Sequence, residues 1–88
     1  MAQRLPTIGI EYCHECGYIG FAIKLTEGLL KTFEGQLAGV LITPSTGGAY
    51  EITLDKRTIY STFEEGFPTQ EEAMARVRTA LTEATVTA

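Results

Sequence analysis

The sequence contains no tryptophan, only two cysteines and a single histidine among its 88 residues. It also lacks any apolar run near the roughly 20 residues that cross a bilayer, so we expect no membrane association. Basic residues are scarce as well, with seven Lys and Arg against eleven Asp and Glu. A chain without a basic cluster is a poor partner for nucleic acid or an anionic membrane surface. We therefore expect its partners to be proteins or small thiols.

The length is enough for one domain with a single modest core. We predict one domain over residues 1–88, with a frayed tail from about Thr85. The first six residues are too short and polar for a signal peptide, so we expect a cytoplasmic protein. In that reducing compartment, two neighbouring cysteines are typical of catalysis or metal binding rather than of a structural crosslink.

The two cysteines form a CxxC motif, Cys13 to Cys16. An alternating apolar run over residues 7–12 precedes the motif, and a run with helical periodicity over residues 17–33 follows it. The motif is therefore predicted at a strand–helix junction, where unpaired backbone N–H groups and the helix dipole favour a thiolate. Two thiols this close can form a disulfide and reopen it without rebuilding the fold. The sequence predicts redox-active Cys13 and Cys16, with no cofactor and no metal.

The apolar pattern predicts the element order β-α-β-β-β-α. The predicted strands and helices cover residues 7–12, 18–33, 40–44, 50–54, 57–63 and a final helix from Thr69. Residues 64–67 are predicted to be a loop. Thr69 and Glu72 match a capping box at the start of the last helix.

The fold class follows from this order. The first two strands are joined through a helix, which makes them parallel with a right-handed crossover. The first strand carries Gly9 and Glu11 opposite its apolar face, so we expect both helices on one face of the sheet. The prediction is an α/β (α+β) two-layer sandwich, thioredoxin-like, with a mixed four-stranded sheet.

The segment after the second strand is the other candidate for the site. Parallel strands end at the same edge of a sheet, so the loop Ser45-Thr46-Gly47-Gly48 should lie near Cys13. We take Thr46, Gly47, Gly48 and His14 as candidate substrate-binding residues. The glycines also suit a turn that needs positive φ. His14 could favour a neighbouring thiolate when protonated, or could simply be a solvated loop residue.

Three motifs carry a resemblance to a known family: Ile10-Glu11-Tyr12-Cys13-x-x-Cys16, Pro44-Ser45-Thr46-Gly47-Gly48-Ala49-Tyr50-Glu51-Ile52 and Gly66-Phe67-Pro68. Their combination resembles the selenoprotein W-like family of small thioredoxin-like redox proteins. In the selenium-containing relatives the second motif position is selenocysteine. Cys16 holds sulfur there, so the resemblance implies a selenium-free, prokaryotic type of member with weaker peroxide chemistry.

The sequence leaves the activity and the roles of the two thiols open. One hypothesis is a thiol–disulfide redox protein linked to glutathione or thioredoxin. The others are a redox-responsive protein-binding module without turnover and a zinc-stabilised interaction domain, although zinc needs four ligands. Thioredoxin-like geometry favours an exposed, attacking Cys13, whereas the selenium position of the relatives favours Cys16. We predict Cys13 for disulfide substrates, and we make no prediction of the oligomeric state.

Overall fold

The computed structural model describes residues 5–87, which form one four-stranded sheet and three helices. The elements are β1 (Thr7–Cys13), α1 (Ile19–Thr32), β2 (Gly39–Ser45), β3 (Tyr50–Leu54), β4 (Arg57–Ser61), α2 (Thr62–Glu65) and α3 (Gln70–Thr87). The strand order is β2-β1-β3-β4. β1 pairs parallel with β2 and antiparallel with β3, and β3 pairs antiparallel with β4. The predicted mixed sheet is confirmed.

Both long helices pack on one face of this sheet. The alternation along β1 buries Ile8 and Ile10. The residues that alternate with them, up to Glu11, face away from the helices. The helical stripe of α1 buries Ala22, Leu25 and Leu29, and α3 adds Val77 and its neighbours to the same cluster. The predicted two-layer sandwich is therefore confirmed, and it leaves one sheet face without a helix.

A glycine lies where the two long helices pack against each other. A Cβ built on Gly28 would lie 3.3 Å from Met74 Sδ and 2.7 Å from Gln70 Nε2. Residues without a Cβ let two backbones approach closely. Gly28 thus offsets its cost to helix propensity by allowing α1 and α3 to pack together.

The last strand ends earlier than the sequence predicts. β4 ends at Ser61 and is followed by the one-turn α2, where we expected strand through Phe63 and then a loop. Thr62 explains the difference: its backbone N–H donates to Glu51 Oε2 at 2.9 Å, and its hydroxyl donates to Tyr50 O at 2.7 Å. These side-chain bonds turn the chain away from the sheet. No hydrophobic pattern reveals them.

The final helix begins as predicted. The Thr69 hydroxyl accepts from the Glu72 N–H at 3.0 Å, and Glu72 Oε1 accepts from the Thr69 N–H at 2.8 Å, which confirms the capping box. The structure assigns α3 as far as Thr87. None of the described helices is both long and apolar enough to cross a membrane.

Candidate functional site

The CxxC motif lies at the carboxyl end of the central strand β1. Cys13 is the last residue of β1, and it forms a disulfide with Cys16 with the two Cα atoms 5.3 Å apart. A turn connects the motif to α1, and Gly17 in that turn has φ +77°, a value that favours glycine. Tyr18 is the N-cap of α1. The predicted strand–helix junction is confirmed, although the helix starts just after the motif.

The two cysteines differ in their exposure to solvent. Cys13 is only 1% exposed. It is the last residue of β1, and its N–H donates to Ala49 O at 2.7 Å. Cys16 is exposed in the turn. Our expectation that Cys13 is the exposed cysteine is therefore wrong. The general thioredoxin-like pattern did not anticipate a first cysteine that remains inside the strand.

The loop after β2 lies directly against the motif, as predicted. Cys13 is in register with Ser45, and the His14 N–H donates to Ser45 O at 3.0 Å. The Ser45 hydroxyl in turn donates to Glu11 Oε2 at 2.8 Å, which ties the loop to β1 on the helix-free face. These bonds fix the position of the loop relative to the disulfide.

The loop glycines have a conformational role and open surroundings. Gly47 and Gly48 have φ values of +72° and +82°, so both adopt the left-handed region that favours glycine. A Cβ at either position would meet no atom within 4 Å. Thr46 and His14 are both exposed. The four candidate substrate-binding residues therefore lie at one accessible edge, beside the disulfide.

Four aromatic side chains cluster on the helix side of the motif: Tyr18, Phe21, Tyr50 and Phe67. Phe67 is at their centre, with ring centroids 4.6 Å from Tyr50, 4.7 Å from Tyr18 and 5.0 Å from Phe21. The Tyr18 N–H donates to Cys13 O at 3.4 Å, so the cluster adjoins the motif. Phe21 and Phe67 are exposed.

A groove of about 370 Å³ opens beside this cluster, lined mainly by Phe21, Lys24, Tyr50, Phe67, Pro68 and Gln70. The sequence pattern did not identify Phe67 as a surface residue near the thiols. The Gly66-Phe67-Pro68 motif was the available signal, since a short motif that is neither strand nor helix suggests a role outside the core.

The segment that carries Phe67 is anchored to α3 and β4. The Tyr60 hydroxyl donates to Gly66 O at 2.7 Å. Arg76 donates to both Glu65 carboxylate oxygens, at 2.6 and 2.8 Å, and to Ile59 O at 2.7 Å. The Arg76 hydrogen bonds hold the pKa of Glu65 below its ordinary value. Bidentate pairs of this kind are geometrically restrictive, so they fix the loop that presents Phe67.

Buried Tyr50 makes the stability of the protein sensitive to alkaline pH. Burial raises the pKa of Tyr50 to about 12, so between about pH 10 and 12 only the unfolded chain ionises this phenol. The free energy of unfolding is then highest below pH 10 and falls as pH rises towards 12, by about 1 to 2 kcal/mol after allowance for solvent screening. We expect the Tyr50→Phe variant to lack the share of this decrease that is due to Tyr50. Urea unfolding at pH values from 8 to 12 measures the free energy of unfolding of both proteins. If the free energy falls equally with pH in the wild type and the variant, the prediction is contradicted.

The described residues offer little to a metal ion. Within residues 5–87, no group of three or more His, Cys, Asp or Glu side chains is arranged to hold a metal. A structural zinc site takes four ligands. The side chains of the described residues do not form such a set.

We predict that the fold survives reduction of the disulfide. A bridge between residues three apart closes a very short loop and contributes about 2 kcal/mol or less, while the core of strand and helix residues does not include the bridge. Far-UV circular dichroism before and after reduction, with alkylation and mass spectrometry to count free thiols, measures the outcome. A Cys13→Ser/Cys16→Ser double variant is the matched control. Global unfolding on reduction would contradict the prediction.

Comparison with known proteins agrees with the motifs. A family model described as the Rdx family matches residues 7–79. A crystal structure of a protein from Bordetella parapertussis is similar, with a TM-score of 0.82, 31% identity and coverage of 88% of this chain and 99% of that one. A selenoprotein W-related protein from Vibrio cholerae has a TM-score of 0.81 and 32% identity, with coverage of 89% and 99%. No curated protein sequence matches the chain.

The match to the Rdx family spans the whole sheet, all of α1 and the first ten residues of α3, and it includes the CxxC motif, the Gly47-Gly48 loop and Phe67. The two solved structures share the fold over almost their entire lengths. A thiol redox role fits this family and the paired cysteines. This chain therefore belongs to the Rdx family, the selenoprotein W-like proteins that its motifs indicated.

Proposed function

We propose that this protein reduces disulfides through its CxxC motif, with Cys16 as the attacking thiol and Cys13 as the resolving thiol. The observation that carries the proposal is the contrast in exposure: Cys16 is exposed, whereas Cys13 is buried and bonded to it. An attacking sulfur must reach the substrate. A resolving sulfur needs only to reach its neighbour.

The reaction begins with the reduced protein. The Cys16 thiolate attacks one sulfur of a substrate disulfide, that S–S bond breaks, and the leaving sulfur departs as a thiolate that takes up a proton. The Cys13 thiolate then attacks the Cys16 sulfur and releases the second substrate thiol. The substrate gains two electrons and the motif ends as the Cys13–Cys16 disulfide. A thiol reductant such as glutathione or thioredoxin returns it to the dithiol.

The surroundings of Cys16 favour protein disulfides or small thiols such as glutathione as partners. The Thr46-Gly47-Gly48 loop offers backbone groups in open space beside the disulfide, and an extended segment can pair with such groups as an added strand. The exposed rings of Phe21 and Phe67 supply apolar contact on the other side. Such reductants are abundant in the cytoplasm, and we propose that compartment as the site of action.

Turnover distinguishes this function from a binding module. We expect the protein to catalyse reduction of a disulfide-bonded substrate with glutathione or thioredoxin as the electron source, over many cycles per molecule. The Cys13→Ser/Cys16→Ser double variant is the control and should be inactive. A redox-responsive binding module would show no turnover with either reductant. Tight binding of zinc by the reduced protein, without turnover, would support the zinc-stabilised domain and contradict our proposal.

A further inference from the structure

The two edges of the sheet are not equally protected. At one edge, β4 begins with Arg57 and pairs with β3 through an irregularity between Ile52 and Thr53. Charges and bulges are the usual devices that stop an edge strand from pairing with another chain. At the other edge, the seven residues of β2 include no charge, and β1 is their only strand partner within residues 5–87. β2 is the edge that remains available for pairing.

The outward-facing backbone groups of β2 can be identified from a single hydrogen bond. Ser45 O accepts from the His14 N–H, so the backbone of Ser45 faces β1. Successive residues of a strand point their backbone groups to alternate sides, so those of Val40 and Ile42 face the free edge. Pro44 also faces outward and has no N–H to donate, which ends the row. Pairing at this edge must therefore use Val40 and Ile42, with Leu41 between them.

The helix above this edge carries a matching apolar stripe. Ile19, Ile23 and Leu30 are 43%, 53% and 48% exposed, and their spacing of four and seven residues places them on one flank of α1. The opposite flank faces α3, since Gly28 lies against Met74. α1 packs on β1 and β2, whereas α3 packs on β3 and β4. The exposed stripe therefore lies above the free edge of β2.

We propose that β2 pairs antiparallel with β2 of a second copy of this chain to form a continuous eight-stranded sheet. A two-fold axis normal to the sheet keeps both helix layers on the same side, so the apolar flanks of the two α1 helices meet. Val40 and Ile42 exchange hydrogen bonds with Ile42 and Val40 of the second copy. Leu41 then lies opposite its own equivalent in a non-hydrogen-bonded pair, which accounts for its 62% exposure on the helix-free face.

The second copy is favoured over a lone peptide because the surface has two layers. A peptide strand could form hydrogen bonds with the free edge of β2, but it carries no helix to cover Ile19, Ile23 and Leu30. A second copy supplies both an uncharged strand and an apolar helix flank that lies above that strand. Although each chain carries a formal charge of −4, no ionised side chain lies on β2 or among these three helix residues.

The size of the interface indicates a weak dimer. The helix of 14 residues and the strand of seven are each roughly 20 Å long. The interface is about 22 Å high, which is the layer spacing of about 10 Å plus about 6 Å for the half-thickness of each layer, so it buries about 450 Å² per copy. The total of about 900 Å² is just below the roughly 1,000 Å² of a stable interface, so the dimer is weak and depends on concentration. Antiparallel pairing places the two CxxC motifs at opposite ends of the shared sheet, where both stay accessible.

Sedimentation equilibrium from micromolar to millimolar protein tests the dimer. We expect reversible dimerisation by the full chain, weakened at least tenfold by Leu41→Lys, because like charges would then face each other across the two-fold axis. Phe63→Lys is the matched control, since Phe63 is about as exposed as Leu41 but lies on α2, outside the proposed interface. A wild-type chain that stays monomeric throughout, or equal weakening by the two variants, would overturn the proposal.

Crosslinking tests the register, independently of any redox activity. In a Cys13→Ser/Cys16→Ser background, Leu41→Cys gives each copy one cysteine. In the proposed dimer the Cα atoms of these two cysteines are about 4.5 Å apart, a distance that suits a disulfide. Mild air oxidation should therefore convert this variant into a covalent dimer at least ten times faster than a Thr53→Cys variant. Thr53 lies on the same sheet face but on the interior strand β3. Equal crosslinking rates would overturn the register and the pairing with it.

Discussion

A Cys16→Ser variant is expected to lose all measurable disulfide reduction and to form no mixed disulfide with glutathione. A Cys13→Ser variant is expected to form that mixed disulfide on Cys16 and to accumulate it. The physical reason is access: only the exposed Cys16 can reach a substrate sulfur, and without the Cys13 thiol nothing inside the protein displaces the substrate. Intact-mass spectrometry after incubation with oxidised glutathione measures both outcomes.

The two variants serve as controls for each other. Each removes one thiol and the internal disulfide, so any general effect of losing the bridge is common to both. A difference between them therefore reports the role of each sulfur. The reverse result, with glutathione held by Cys13 in the Cys16→Ser variant and none held in Cys13→Ser, would restore Cys13 as the attacking thiol.

A side chain on the Gly47-Gly48 loop is expected to slow reduction of a protein disulfide by about tenfold, equivalent to about 1.4 kcal/mol of activation free energy. Gly48→Asn is the suitable change, because Asn tolerates the left-handed backbone at φ +82°. The new side chain would occupy the open space where an extended substrate segment is proposed to dock. Alkylation of the reduced thiols by a small reagent should be nearly unchanged.

Gly35 provides a matched control for this experiment. It has φ +81°, and a Cβ there also meets no atom within 4 Å. It lies in the connection between α1 and β2, at the opposite end of β2 from the motif. Gly35→Asn should leave both rates unchanged. If Gly48→Asn slows the protein substrate and the small reagent equally, the loop does not serve as a docking platform.

The sequence predicted the fold well where one local pattern decides the structure. The alternation along residues 7–12 identified β1, and the parallel pairing that follows from a helical crossover correctly placed Ser45 beside Cys13. The Thr69 and Glu72 capping box is a local, reciprocal hydrogen-bond pattern, so it too could be identified from residue types. These features depend on neighbours in sequence or on general rules of chirality.

Features that depend on distant partners could not be predicted. Cys13 is buried where β1 meets the distant segment at Ala49, whose carbonyl oxygen accepts from the Cys13 N–H. Helical spacing places Arg76 one turn from Glu72, but Arg76 bonds to Glu65, while the Glu72 carboxylate caps the helix. Phe67 packs against three rings from two other segments, α1 with its N-cap and β3. Periodicity carries no information on such contacts, because it reports which face is buried and not what lies against it.

The redox potential of the Cys13–Cys16 pair tests the central claim most directly. Equilibration of the wild-type protein in glutathione buffers of graded ratio, followed by alkylation and mass spectrometry, gives the fraction oxidised at each potential. A pair that serves in thiol exchange should be half oxidised between about −300 and −120 mV, the range of cellular thiol couples and oxidoreductases. A pair that stays oxidised well below about −300 mV would be a structural crosslink, and this result would contradict the account.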